Sequence, residues 1–265
     1  MSAPSYALRD SMTMLRRNLK HAQRYPSMTI SVVAMPILML LLFVYVFGGA
    51  LGHGINLPGA ANGRDGYVNY VAPGIILMAA TSGAIATAVS VCTDMTEGII
   101  NRFRTMAISR GSVLTGHVVG SVLQTMASLA LVIGVALAVG FRPHATVLGW
   151  VAATALLALL AFALTWLAAA MGLVAKTVES ASNAPMPFTL LPFLGSAFVP
   201  PESMPAGIRW FAEYQPFTPI NETLRGLLMG TPVGDSAMAA LAWCVGLALV
   251  GYLWARTAFR RNVKR

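Results

Sequence analysis

Charge is what this sequence has least of. Its 265 residues include 18 Lys or Arg and 9 Asp or Glu, 10% in all, beside 57% hydrophobic residues, whereas a soluble globular domain is near a quarter charged. That excludes an ordinary water-facing fold. Six stretches hold no Asp, Glu, Lys or Arg, at about 28–51, 70–91, 114–139, 147–175, 184–199 and 238–254, and most approach the ~20 residues with which a helix crosses a bilayer. The alternating segments of a membrane barrel are missing. The expectation is therefore an all-α membrane protein with six transmembrane helices. The fifth stretch is the weakest, being short and interrupted by Pro185, Pro187 and Pro192, each of which removes a helical hydrogen bond.

The residues of metal and covalent chemistry are equally scarce. The two cysteines, Cys92 and Cys244, fall at different depths of their spans and read as packed thiols. The four histidines, His21, His53, His117 and His144, are far apart, and none has a second ligand at helical spacing, so no metal site is expected. A lone His117 inside a span reads as hydrogen-bonded to a neighbouring helix. No Ser, His and Asp constellation and no paired carboxylates lie within the spans, which argues against an intramembrane hydrolase and against an ion-coupled carrier. The stretch GSVLTGHV, Gly111 to Val118, has the glycine spacing of a phosphate loop. It places His117 and Val118 where Lys and a hydroxyl are required, so the chain has no nucleotide site of its own and is not expected to be an enzyme.

The charge that is present is placed unevenly. Of the 18 positive residues, 14 fall in the N-terminal arm, the 92–112 loop, at Lys176 and in the C-terminal tail. The positive-inside bias puts that side, with both termini, in the cytoplasm. Because these charges are split among juxtamembrane segments, they suit anionic lipid headgroups and not nucleic acid. In the arm, 1–26, Leu8, Met12, Leu15 and Leu19 recur with helical spacing. It reads as an interfacial amphipathic helix that turns at Pro26 into the first span.

Two segments between spans have more pattern than a linker needs. Residues 97–110 read as a short helix with Ile99, Phe103 and Met106 on one face and Glu97, Arg102, Arg104 and Arg110 around it. Such a helix suits either snorkelling at the membrane surface or docking to another protein. Residues 200–230 carry Pro200, Pro201, Pro205, Pro216 and Pro219 among helically spaced apolar residues, namely Met204, Ile208 and Phe211 and then Ile220, Leu224, Leu227 and Leu228. Two short helices are expected there, with Glu222 and Arg225 three residues apart and able to pair. The Asn221-Glu222-Thr223 sequon reads as coincidence.

The loop residues Asp94, Gly98, Ile99, Ile100, Arg102, Phe103, Arg104, Met106, Ile108, Ser109 and Arg110 resemble the inner loop of type-2 ABC transporter permeases, with the daunorubicin-resistance-like efflux branch as the nearest likeness. The later run Ser196, Ala197, Phe198, Val199, Pro200, Glu202, Met204, Pro205, Trp210, Pro216, Thr218, Pro219, Glu222, Leu224 and Arg225 is similar to a second signature of the same family. The likeness extends over nearly the whole chain. It implies one transmembrane domain over 1–265, the arm acting as an elbow helix and 97–110 as a cytoplasmic coupling helix. Glu97, Gly98, Arg102, Phe103, Arg104, Met106 and Arg110 would engage the ATPase. It further implies a re-entrant hairpin over 200–230 serving as an external gate, with Pro200, Glu202, Pro205, Trp210, Pro216, Pro219, Glu222 and Arg225 as its marked residues. The partners would be two copies of an ABC ATP-binding subunit, which hold the ATP and Mg, and a second permease copy or homologue, in a bacterial cytoplasmic membrane. The apolar spans suit a hydrophobic or amphiphilic cargo, with a polysaccharide or lipid-linked glycan as the alternative. An ion-coupled carrier or a structural membrane protein is the alternative of another class.

Overall fold

The computed structural model describes residues 26–50, 63–96 and 110–264, with side chains over 33–50, 63–96 and 115–261. The expected interfacial arm and nearly all of the expected coupling helix lie outside the described residues. Within them the fold is all helical, as the composition requires. The helices are α1 (Pro26–Leu41, continued as a π-helical stretch Leu42–Phe47), α2 (Arg64–Thr96), α3 (Arg110–Val139) and α4 (Val147–Val174). Then come the short α5 (Val178–Asn183) and α6 (Met186–Leu190), α7 (Ala206–Tyr214), α8 (Phe217–Met229) and α9 (Ser236–Lys264). Five helices among the described residues are long and apolar enough to cross a bilayer, namely 33–50, 64–96, 115–139, 147–174 and 236–261.

Their arrangement follows from which helices carry small or apolar residues all round. Helix α2 is the innermost, enclosed by α1, α3, α4 and the α5–α6 segment, while α9 packs along α4 and is the most exposed of the long helices. Close approach is set by glycine. A Cβ built on Gly172 of α4 would overlap the carbonyl oxygen of Ala88 on α2, and one on Gly251 of α9 would fall 2.7 Å from the backbone nitrogen of Leu167 on α4. Small residues at such contacts let helix backbones meet where lipid supplies no hydrophobic drive. The main core is built from α1, α2, α3, α4, α8 and α9 around Leu40, Ile75, Leu129, Leu160, Ile220 and Cys244. A second cluster, with Val91, Val118, Leu173, Ala255 and Ala258, closes the end of the bundle that carries the 97–109 loop. This is called the loop end, and the opposite one the hairpin end. Both cysteines are buried and unbridged, as the sequence suggested.

The fifth expected span is not a continuous helix. Helix α4 stops at Ala175, whose backbone is extended, and Thr177 restarts the chain through a reciprocal cap with Ser180. The prolines then break it into α6 and a 3-10 turn, Leu191–Leu194. The broken segment still runs along α2. It starts where the Cys92 thiol meets the Ala175 carbonyl, at 3.9 Å, and ends where a Cβ on Gly74 would fall 2.7 Å from the Cβ of Ala197. Residues 74 and 92 are separated by about 27 Å of helix at 1.5 Å per residue.

Candidate functional site

A broken helix in an apolar bundle leaves backbone carbonyls that water cannot reach, and each needs a donor. Here the donors come from α8 and from Gln215, the residue that ends α7 just before it. Gln215, Thr218, Asn221 and Arg225 follow one another at intervals of three, three and four residues, so they form a single polar stripe that faces the break. The Gln215 amide donates to the Leu191 carbonyl at 3.0 Å and to the Thr218 hydroxyl at 3.2 Å. The Thr218 hydroxyl donates to the Ala212 carbonyl. Asn221 Nδ2 donates to the Ser196 carbonyl at 3.0 Å and to its hydroxyl at 3.2 Å. Arg225 Nη2 donates to the same carbonyl at 2.6 Å, and its guanidinium lies 3.8 Å from the centroid of the Tyr70 ring on α2. One cation thus joins α8, α2 and the broken segment. Satisfaction is incomplete, since Arg225 Nε, Asn221 Oδ1 and Gln215 Oε1 are buried without a protein partner.

The other face of α8 is apolar and central. Ile220, Leu224 and Leu228 are fully buried, in agreement with the sequence pattern, and Pro219 fits because it lies in the first turn, where no helical hydrogen bond is lost. The helix ends at Gly230 with φ +70°, a left-handed stop that favours glycine. There the Leu228 carbonyl accepts from the His144 backbone at 3.0 Å. The link after α3 is fixed from its other side by Asn69, whose side-chain oxygen accepts from the Arg142 backbone at 2.8 Å. Stacked rings hold the break itself in place, with Phe198 lying 4.4 Å from Phe43 and 4.7 Å from Phe193 between centroids.

The expected pairing of Glu222 with Arg225 does not form. Arg225 turns to Ser196 and Tyr70, and the Glu222 carboxylate instead accepts from the Ser236 hydroxyl at 3.3 Å, tying α8 to the start of α9. The physical reason is that Arg225 gains a charge-assisted bond to the Ser196 carbonyl, shared with Asn221, and the Tyr70 face, while the Glu222 acid has a hydroxyl partner of its own. Burial pushes the Glu222 carboxyl up, while Arg225 and the Ser236 bond hold it back. Helix α7 forms as one of the two expected short helices, with its apolar residues turned outward. Of its residues only Ala212 is buried, while Ile208, Trp210, Phe211 and Tyr214 all face outward, so the periodic residues Ile208 and Phe211 do not serve this chain's core. Trp210 meets Tyr214 at 5.8 Å, and Arg209 pairs with Glu213 at 2.7 Å on the surface.

The remaining marked residues occupy the connections. Pro200 caps the 3-10 turn Pro201–Ser203, with its carbonyl bonded by the Ser203 hydroxyl at 2.7 Å. Glu202 is exposed in that turn. Pro205 caps α7 and Pro216 caps α8. Of the loop set, Glu97, Gly98, Arg102, Phe103, Arg104 and Met106 lie outside the described residues, and Arg110 opens α3. At the loop end, His117 Nε2 lies 2.8 Å from the Asp94 carboxylate, which meets the expectation that His117 bonds to a neighbouring helix. Asn221 and Gln215 were not marked beforehand. Their signal was the polar periodicity that they share with Thr218 and Arg225.

Comparison with known proteins supplies the context for this geometry. The family described as ABC-2 type transporter matches residues 10–229. A daunorubicin resistance ABC transporter permease protein of Streptomyces coeruleorubidus is 31% identical over 249 residues, covering 93% of this chain and 82% of that protein. A probable doxorubicin resistance ABC transporter permease protein of Mycobacterium tuberculosis is 22% identical over 232 residues, covering 88% of this chain and 81% of that protein.

Proposed function

The chain belongs to the ABC-2 type transporter family, and on that premise we propose that it is the membrane subunit of an ATP-driven exporter moving a hydrophobic or amphiphilic drug or lipid-like molecule outward across the bacterial cytoplasmic membrane. The observation that carries the reading is the likeness over 93% of the chain to a permease named for daunorubicin resistance. The family normally works with a separate ATP-binding subunit. Two such subunits, carrying the ATP and Mg, would serve two permeases, identical or homologous.

The loop end is assigned to the cytoplasm. Lys176 and the positive residues of the α9 tail lie there, whereas Arg64, Arg142, Arg209 and Arg225 lie towards the hairpin end, and positive residues favour the inner side. The broken 175–199 segment is then a crossing too, the fifth in chain order, which brings the total to six. Its run along about 27 Å of α2 supports that count, because a hydrocarbon core is about 30 Å thick. Irregular backbone at this depth is tolerated only where protein covers it, and α8 does so.

The 200–230 segment is the external gate. Helix α8 plugs the hairpin end of the bundle, and α7 lies beside it with Trp210 and Tyr214 towards the outer lipid interface, where such rings are favoured. The half-satisfied polar seam on α8 supports a closure that opens, since every unpartnered buried group there works against permanent packing. The 97–110 segment is the coupling helix, with Glu97, Arg102 and Arg104 docking polar groups of the ATPase and Phe103 and Met106 anchoring it. Closure of the ATPases on ATP would tilt the two halves of the permease dimer between inward-open and outward-open states.

The test is a mild-detergent purification from native membranes. An ABC ATP-binding subunit should co-purify with the native chain and be lost with Arg104→Glu, while the amount of inserted permease stays unchanged. Recovery of the ATPase with both, and unaltered transport, would remove Arg104 from the docking surface.

A further inference from the structure

The polar groups of the hairpin end are explained by broken backbone, but Asp94 and His117 are not. They lie on α2 and α3, two helices that run without a break. Even so, Nε2 of His117 and the Asp94 carboxylate meet at 2.8 Å, both side chains almost wholly shielded, with 7% and 13% of their surface exposed. Beside them in sequence, Val91 and Val118 belong to the apolar cluster that closes the loop end. A polar pair in such a setting loses hydration that its mutual attraction only roughly offsets, so stability alone would be served as well by two apolar residues. What the pair supplies is geometric. A short charge-assisted bond fixes the axial register of two helices more sharply than apolar contact does.

The position of the pair gives that register a use. Asp94 lies three residues before the 97–110 segment, and His117 lies seven residues after it. Helix α2 is the innermost of the bundle and reaches the hairpin end, where its Tyr70 ring carries Arg225. We propose that the Asp94–His117 pair is a positioning element for energy coupling. It clamps the two helices that enter and leave the loop so that a push on the loop moves α2 and α3 together, and does not merely spread their ends. This rests on the coupling role proposed for 97–110. The residues contact neither nucleotide nor cargo; they act through the helices they join.

The experiment uses the permease purified with its ATPase and reconstituted in liposomes, with doxorubicin as the probe cargo. The ratio of cargo moved to ATP hydrolysed is measured beside the amount of ATPase bound. His117→Ala should leave insertion and ATPase binding unchanged and lower that ratio about tenfold, the scale of one lost hydrogen bond to a charged group. His117→Gln, which places an amide nitrogen near the position of Nε2, should recover most of the ratio. A normal ratio in His117→Ala overturns the proposal, and so does loss of ATPase binding in both variants, which would mark the pair as purely architectural. Should His117→Ala fail to accumulate, Asp94→Asn carries the same comparison, with a lowered ratio at normal ATPase binding expected and an unchanged ratio contradicting it. If the native chain brings down no ATPase, the coupling reading itself fails and the clamp with it, a result visible before any variant is made.

Discussion

The two ends of the bundle solve the same problem in different ways. At the hairpin end the chain is irregular, and Gln215, Asn221 and Arg225 donate to backbone carbonyls of the broken segment. At the loop end α2 and α3 run unbroken, packing is apolar, and Asp94 meets His117 side chain to side chain. Polar residues in an apolar bundle therefore have two distinct reasons to be there. Some repair backbone, and their loss should be felt as instability. Others fix one helix against another, and their loss should be felt in function.

The contrast is broken most severely by crowding the regular end. Gly172→Leu would drive a side chain into the Ala88 carbonyl of α2, at a cost of about 3 kcal/mol or more. Thermal unfolding in detergent should show a large drop or no folded protein at all. Gly134→Leu is the control, because nothing lies within 4 Å of its Cβ position, and it should behave as the parent does. A smaller loss is expected at the repaired end. Arg225→Ala removes the charged one of the two donors to the Ser196 carbonyl and the contact with Tyr70, costing about 2 kcal/mol. Arg225→Lys should recover less than half of it, since an ammonium cannot both stack flat on the ring and fork to the carbonyl. If the two variants unfold at the same temperature as the parent, the seam is not a repair.

The smallest effect concerns Glu222 and is read through pH. Burial raises its carboxyl above the ordinary 4.5, against the pull of Arg225 and the Ser236 bond. The folded chain then keeps this proton to higher pH than the unfolded chain does. The stability from this group is present in acid and is lost as pH rises from 4.5 through the folded value. Glu222→Gln should remove that slope, so its unfolding temperature relative to the parent should rise modestly between about pH 4 and about pH 7. A relative fall over that interval would mean that the carboxylate is favoured by its surroundings.

How much of this was legible beforehand depended on what kind of force sets each feature. Hydrophobic burial is written in composition and period, so the long helices fell near their expected limits, and Ile220, Leu224 and Leu228 took their places in the core. His117 could be read because an isolated imidazole in an apolar helix must find a partner. The break in the fifth stretch was announced by Pro185, Pro187 and Pro192, but its consequence was not, because which carbonyls are freed depends on the path of the backbone. Spacing suggested Glu222 with Arg225, whereas the tertiary fold offered Arg225 the Ser196 carbonyl and the Tyr70 face. Helix α7 was legible as a helix, but helical period shows only that a face is apolar and not whether protein or lipid covers it.

Transport in inside-out membrane vesicles, prepared from cells that make this chain with its ATPase, bears most directly on whether the two ends work as coupling site and gate of one exporter. Doxorubicin should accumulate in the vesicles only when ATP is supplied and should persist when ion gradients are collapsed by ionophores. Accumulation that needs an ion gradient and proceeds without ATP would contradict it and make the chain an ion-coupled carrier.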